Sequence, residues 1–294
     1  MALFKGAGVA IATPFRQDGS VDYAEFDKLI EFQIENGTDA IIVCGTTGES
    51  ATMSEEEHIV VVKHCIDRVN HRIPVIAGTG SNCTATAVKL SKEAVECGAD
   101  GVLCVTPYYN KATQEGLFIH FKSVSDVVDV PVILYDVPGR TGCALTSETI
   151  ARLVRETPNV RGLKDATGNL AQCAMTMHLA GEELKVYAGN DDVIVPTMSL
   201  GGIGVISVLS NVAPRQTHDI TAACFAGDYK KAGNMQKEAQ PLIKALFSEV
   251  NPIPVKKALE FLGYQSCSLR LPLTTMSEEN AKKLRHEMEV YGLL

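Results

Sequence analysis

Ala40-Ile41-Ile42-Val43-Cys44 is a run of five residues without a single charged or strongly polar side chain, and it stops abruptly at Gly45-Thr46-Thr47-Gly48-Glu49-Ser50. A continuous apolar run of this length, rich in β-branched residues, fits a strand covered on both faces, as in a parallel sheet. The same pattern recurs along the chain at Val9–Thr13, Pro74–Ala77, Gly101–Thr106, Pro131–Tyr135, Val160–Lys164, Lys185–Ala188 and Gly204–Val208. Between the runs lie amphipathic helical stretches. Tyr23–Asn36 carries Phe26, Leu29 and Ile30 on one face. Glu55–Asn70 follows Ser54, a capping hydroxyl, with Glu57 placed to close a capping box. Thr84–Cys97 stops at Gly98. Eight strand–helix units predict a closed (β/α)8 TIM barrel over residues 1–227. The remainder, 228–294, has no strand signal and reads as a C-terminal helical extension, broken at Asn251-Pro252-Ile253-Pro254.

The composition narrows the function classes. The 294 residues carry 27 Lys and Arg against 35 Asp and Glu, a formal net charge of −8. An acidic chain without a basic block gains nothing from a phosphate backbone, so no nucleic-acid partner is expected. Anionic substrates remain open, provided that their cationic contacts are local. The nine cysteines are scattered, with no C-x-x-C pair, and read as reduced, buried thiols. No stretch has the length or apolarity of a membrane span, and Met1–Gly6 lacks the apolar core of a signal peptide. The expected location is cytoplasmic, with no membrane partner.

In a barrel of this type the chemistry gathers where strands end. There the sequence offers one lysine, several hydroxyls and one arginine. All seven histidines fall in helices or connections, without H-x-H or H-E-x-x-H spacing, so neither a metal site nor a serine triad is supported. Lys164 closes an apolar strand; burial there disfavours the charged ammonium and favours the neutral amine that imine chemistry needs. Tyr135 ends the preceding strand and is a candidate proton relay. Thr46 and Thr47 combine hydroxyls with glycine-flanked backbone N–H groups, ahead of a helix start that also favours anions, and so suit a carboxylate. Arg140, after Pro138-Gly139, is placed to grip a second carboxylate with two parallel hydrogen bonds. Gly78-Thr79-Gly80 lacks a Walker lysine, and Gly201-Gly202-Ile203-Gly204 precedes its strand; neither is a good phosphate loop.

Taken together, Gly45–Ser50, Thr106–Asn110, Tyr135–Gly142, Lys164–Gly168, Gly204–Ser207 and Asn251–Lys256 give a chain that resembles the dihydrodipicolinate synthases, within the wider pyruvate-dependent class I lyase family that includes N-acetylneuraminate lyase. The resemblance runs nearly the full length. It implies condensation of pyruvate with L-aspartate 4-semialdehyde to 4-hydroxy-tetrahydrodipicolinate, a step of lysine and diaminopimelate biosynthesis. It needs no cofactor beyond the covalent lysine imine, and no metal. It implies that Lys164 attacks the ketone, that Thr46, Tyr135 and Tyr109 relay protons, with Tyr109 contributed by an adjacent subunit, and that Thr47 holds the pyruvate carboxylate. It further implies that Arg140 binds the aldehyde's carboxylate, that Gly189 and Ile206 line the pocket, and that the chain forms a homotetramer, a dimer of dimers. The Pro138–Gly142 run favours the amino-acid substrate over the sugar acids taken by related lyases. Other readings are a different pyruvate aldolase, a metal-dependent lyase, and a barrel that only binds an oxo acid.

Two departures from the family pattern stand out. Asp136 occupies a place usually held by Asn, where a carboxylate close to Tyr135 and Arg140 would alter their electrostatics. At the regulatory site of some members, Ser50, Ala51, His58, Asn82 and Tyr108 match, but Glu55 and Thr86 stand where His and Glu are usual in lysine-sensitive relatives. The loss of that carboxylate predicts weak or absent feedback by lysine.

Overall fold

A computed structural model describes residues 3–294; the first two residues of the Met1–Gly6 stretch lie outside it. Eight parallel strands, β1 (Gly6–Ala10), β2 (Ala40–Val43), β3 (Val75–Gly78), β4 (Gly101–Val105), β5 (Val132–Asp136), β6 (Val160–Asp165), β7 (Lys185–Ala188) and β8 (Gly204–Ser207), pair in chain order and close into a barrel. The helices around it are α1 (Tyr23–Glu35), α2 (Glu55–Val69), α3 (Thr84–Glu96), α4 (Gln114–Ser125), α5 (Pro138–Thr141), α6 (Ser147–Glu156), α7 (Leu170–Ala180), α8 (Ile194–Ser199) and α9 (Pro214–Phe225). Three more follow, α10 (Tyr229–Leu246), α11 (Ile253–Phe261) and α12 (Glu278–Val290). The (β/α)8 fold read from the apolar runs is therefore the fold observed.

Residues in each strand alternate between two apolar environments. Ile42, Ile76, Leu103, Ile133, Tyr135, Tyr187 and Ile206 fill the barrel interior. Their neighbours, such as Ile41, Val102, Leu134 and Val186, pack outward under the helices. Both faces are dry, which is why the strands read as continuous apolar runs. The exception is β1, expected at Val9–Thr13 and found at Gly6–Ala10. Its first half is glycine-rich for a packing reason. A Cβ on Gly8 would lie 2.7 Å from Ile42 Cδ1 and 2.8 Å from Phe4 Cζ, so the barrel admits no side chain there. The apolar residues that suggested a later start belong to the strand's exit.

Helix ends follow their caps. Asp22 accepts the Glu25 N–H at the start of α1, and Ser54 accepts the Glu57 N–H at the start of α2. The anticipated capping box does not close. The Glu57 carboxylate turns instead to Arg270, which it meets at 2.5 and 2.6 Å. The helix expected at Glu55–Asn70 is found as α2, Glu55–Val69, some residues beyond Thr46-Thr47. A single 3-10 turn, Ser50–Thr52, intervenes before α2. The cause is Glu49, whose left-handed backbone (φ 56°) redirects the chain.

The C-terminal helices are joined to the barrel's flank through one apolar cluster. Val255, Leu259, Leu284 and Met288 share it with Val9, Ile11, Phe15 and Phe26. Full burial of each large side chain stabilises by about 1.5–3 kcal/mol, and Leu284→Ala is expected to cost about 2–5 kcal/mol. Six of the nine cysteines are buried and all are free, but Cys83 is exposed, unlike the general expectation for these thiols. No helix among the described residues is long and apolar enough to cross a membrane.

Candidate active site

Lys164 is the fifth residue of β6, in register with Tyr135 of β5 and Tyr187 of β7. Both tyrosines belong to the interior cluster, so the lysine faces the same way. It is 5% exposed, and its Nζ lies 4.3 Å from the centroid of the Tyr135 ring. Tyr187 donates to the Phe4 carbonyl at 2.9 Å while the two rings stack at 4.4 Å, so side chains close the barrel on its N-terminal side. The amine can be reached only from the strand C-termini, as the fold requires.

A carboxyl group that senses this lysine is that of Asp191, just past β7. It is 2% exposed and accepts from Ser207 Oγ at 2.5 Å and from the N–H groups of Val208 and Leu209 at 3.0 Å. Burial pushes its carboxyl above the usual range, while those hydrogen bonds and the charge of Lys164 pull the other way. Asp191 thus ties the ends of β7 and β8 together behind the lysine.

Above the barrel lies a cavity of about 470 Å³. Thr46, Val137, Arg140 and Asn251 form the part of its wall nearest the strand ends. Thr47 is buried beside them, and its Oγ1 accepts from Asn251 Nδ2 at 3.0 Å. The exposed Arg140 rises from α5 and donates from Nη2 to the Asn251 carbonyl at 3.4 Å. One asparagine from the C-terminal segment therefore touches both candidate carboxylate-binding residues. Lys164 and Tyr135 are not in this wall; they lie within the barrel interior.

Gly189 and Ile206 also sit at the barrel top. The Gly189 N–H bonds to the Asp165 carbonyl at 2.7 Å, and a Cβ on it would stand 2.7 Å from that oxygen, so the position accepts only glycine. Ile206 is fully buried in the interior cluster. Tyr109 is not brought to the site by its own chain. Its φ is +74° and its side chain is 89% exposed. Tyr108, Ser50, Ala51 and His58 line the far part of the same cavity, together with Glu55 and Thr86. Asn82 is outside that wall, its carbonyl accepting from Asn110 Nδ2 at 2.8 Å. His58 meets the Gly78 carbonyl at 2.8 Å, and burial pushes its imidazole below the usual value. Glu55 is paired with Lys89 at 2.8 Å.

Asp136 is not where sequence adjacency suggested. Strand alternation turns it away from Tyr135 to the helix side, where it is 1% exposed and both oxygens accept the Leu145 N–H at 3.3 Å. It stands in register with Asp165. Burial raises its carboxyl to about 7, with the Asp165 charge adding to the rise and the Leu145 hydrogen bond opposing it. Gly78-Thr79-Gly80 proves to be a packing device: a Cβ on Gly78 would sit 2.4 Å from the Cys44 carbonyl, and Thr79 bonds to Ser91 at 2.8 Å.

Sequence reasoning passed over Glu49, Asn251, Lys256 and Arg270. Lys256 is 1% exposed and Glu49 4%, and the two form an ion pair beneath the threonine turn. Both lie inside motifs quoted for the family resemblance, but nothing local announces that they meet. Among the described residues no group of three or more His, Cys, Asp or Glu side chains is placed to hold a metal ion.

Comparison with known proteins adds an independent line. The family model described as "Dihydrodipicolinate synthetase family" matches residues 3–290. The chain is 56% identical to the 4-hydroxy-tetrahydrodipicolinate synthase of Lachnoclostridium phytofermentans, over 100% of both chains. It is 46% identical to the dihydrodipicolinate synthase of Aquifex aeolicus, whose crystal structure matches 99% of each chain with a TM-score of 0.97. It is also 44% identical to the enzyme of Acinetobacter baumannii, described as chloride-inhibited and complexed with pyruvate; 99% of each chain matches, with a TM-score of 0.96.

Proposed function

This chain belongs to the dihydrodipicolinate synthetase family, and from that premise we propose that it condenses pyruvate with L-aspartate 4-semialdehyde through an imine on Lys164. The observation that carries the reading is a single buried lysine at a strand C-terminus, with a tyrosine ring against its amine. The Lys164 amine adds to the C2 ketone of pyruvate and water leaves, giving the imine. Loss of a C3 proton yields the enamine, whose C3 attacks the aldehyde carbon and forms the new C–C bond. The aldehyde oxygen takes a proton and becomes the 4-hydroxyl. The substrate's own amine then attacks C2 and displaces Lys164, releasing 4-hydroxy-tetrahydrodipicolinate. Electrons balance without an oxidant or reductant, so the sequence calls for no redox cofactor.

Tyr135 moves protons on and off the reacting oxygens, and Thr46 extends that relay towards the cavity. Thr47 and the adjacent N–H groups hold the pyruvate carboxylate. Arg140 holds the carboxylate of the aldehyde. Gly189 and Ile206 shape the pocket. Tyr109, an aromatic side chain held outward on a left-handed backbone, completes the relay in a neighbouring copy of the chain, which supports a dimer of dimers. The enzyme works in the cytoplasm on two small soluble substrates. The direct test is to incubate it with pyruvate and L-aspartate 4-semialdehyde and follow consumption of both, with 2-keto-3-deoxy sugar acids in parallel. Consumption of the semialdehyde supports the reading; turnover of the sugar acids alone overturns it.

A further inference from the structure

Glu49 and Lys256 are the most deeply buried ion pair in the described chain, with side chains 1% and 2% exposed. A buried pair is a poor source of net stability, because the desolvation of two charges offsets their attraction. Its position suggests a different use. Glu49 directly follows Gly45-Thr46-Thr47-Gly48 and sits at φ 56°, so its backbone sets where that turn ends. Its two oxygens are taken by the C-terminal extension: Oε1 by Lys256, Oε2 by the Arg270 N–H at 3.1 Å. Lys256 donates in addition to the Ser268 carbonyl at 2.7 Å. Five residues before Lys256, Asn251 donates to Thr47 Oγ1 at 3.0 Å. The short segment 251–256 therefore holds the threonine turn at Thr47 and at Glu49, the residue that follows it.

We propose that the Lys256–Glu49 pair and Asn251 form a clamp by which the C-terminal extension positions Thr46 and Thr47 for the pyruvate carboxylate. These are positioning residues: they act through the two threonines and take no part in bond making. The clamp uses charge because a buried pair with fixed hydrogen bonds tolerates one geometry, whereas apolar packing of the same turn would let it slide. The carboxylate cradle is thus assembled from the first and last parts of the chain, and the extension serves pyruvate binding as well as stability. This inference rests on the imine reading of Lys164.

The test is the pyruvate concentration that half-saturates borohydride trapping on Lys164, read by intact mass. It is measured for the parent, for Asn251→Ala, and for Glu49→Gln combined with Lys256→Met, which leaves no unpaired buried charge. Leu284→Ala serves as a control that loosens the extension's core away from the turn. The clamp predicts a rise of tenfold or more in half-saturating pyruvate for Asn251→Ala and for the double variant, against a change below twofold for Leu284→Ala despite its lower melting temperature. Parent-like half-saturation in Asn251→Ala, or in a folded double variant, overturns the clamp. If the double variant does not fold, Asn251→Ala decides alone. Absence of any adduct in the parent would instead overturn the imine reading.

Discussion

The amine of Lys164 lies over the face of the Tyr135 ring, 4.3 Å from its centroid, because the two residues are register partners on adjacent strands. The phenol is therefore carried to the lysine by backbone pairing, not by a flexible loop. Removing only its hydroxyl, in Tyr135→Phe, should leave the ring and the fold intact and lower kcat by about 10²–10⁴-fold, the range for loss of a positioned proton donor. Steady-state kinetics with the melting temperature as a control checks this; a kcat within threefold of the parent would remove Tyr135 from the relay.

Arg140 stands exposed at the rim and contacts Asn251 through a 3.4 Å bond. As the grip on the aldehyde's carboxylate, it should affect that substrate alone. Arg140→Ala is expected to lower kcat/KM for the semialdehyde by about 10–150-fold, equivalent to about 1.5–3 kcal/mol for a charge-assisted contact. Half-saturation of the Lys164 adduct by pyruvate should stay within twofold. An equal loss for both substrates would place Arg140 elsewhere in the mechanism.

Asp136 makes stability depend on pH. In the folded chain its carboxyl titrates at about 7, against 3.8 for an ordinary aspartate. Between those values the folded state holds a proton that the unfolded chain has released. The contribution is therefore full below about pH 4, is lost as pH rises through 7, and is flat above. Asp136→Asn keeps the shape without the titration. It should raise the melting temperature at pH 8 and leave it nearly unchanged at pH 4, with a ceiling of about 4 kcal/mol for a shift of about three units. A variant no more stable than the parent at pH 8 would contradict this account.

Feedback by lysine should be weak or absent. Ser50, Ala51, His58 and Tyr108 share the cavity with Glu55 and Thr86, and the one carboxylate among these six residues, Glu55, is already paired with Lys89. An added ammonium finds no free partner in that set. Initial rates at increasing L-lysine should stay near the uninhibited value through the low millimolar range; saturable inhibition at sub-millimolar lysine would sink the prediction.

Much of the fold and the named site residues' locations could be read from sequence, and the failures have physical causes. The run Ala40–Cys44 announced β2 because both faces of the strand are dry. The start of β1 was hidden because Gly6 and Gly8 carry no hydropathy signal, though the latter is required by close packing. Lys164, Tyr135 and Thr46-Thr47 were legible because polar residues at strand ends contrast with their apolar runs. Asp136 was misplaced because adjacency in sequence means opposite faces in a strand. The Lys256–Glu49 pair was invisible, since it joins segments far apart in the chain and each residue alone resembles a surface charge.

The central claim is the covalent bond between pyruvate and Lys164. Incubation with pyruvate and borohydride, followed by intact mass and a peptide map, tests it most directly. The account predicts one stable adduct per chain, on Lys164, and none in Lys164→Ala. Folded protein that forms no adduct, or forms it on another lysine, would contradict it.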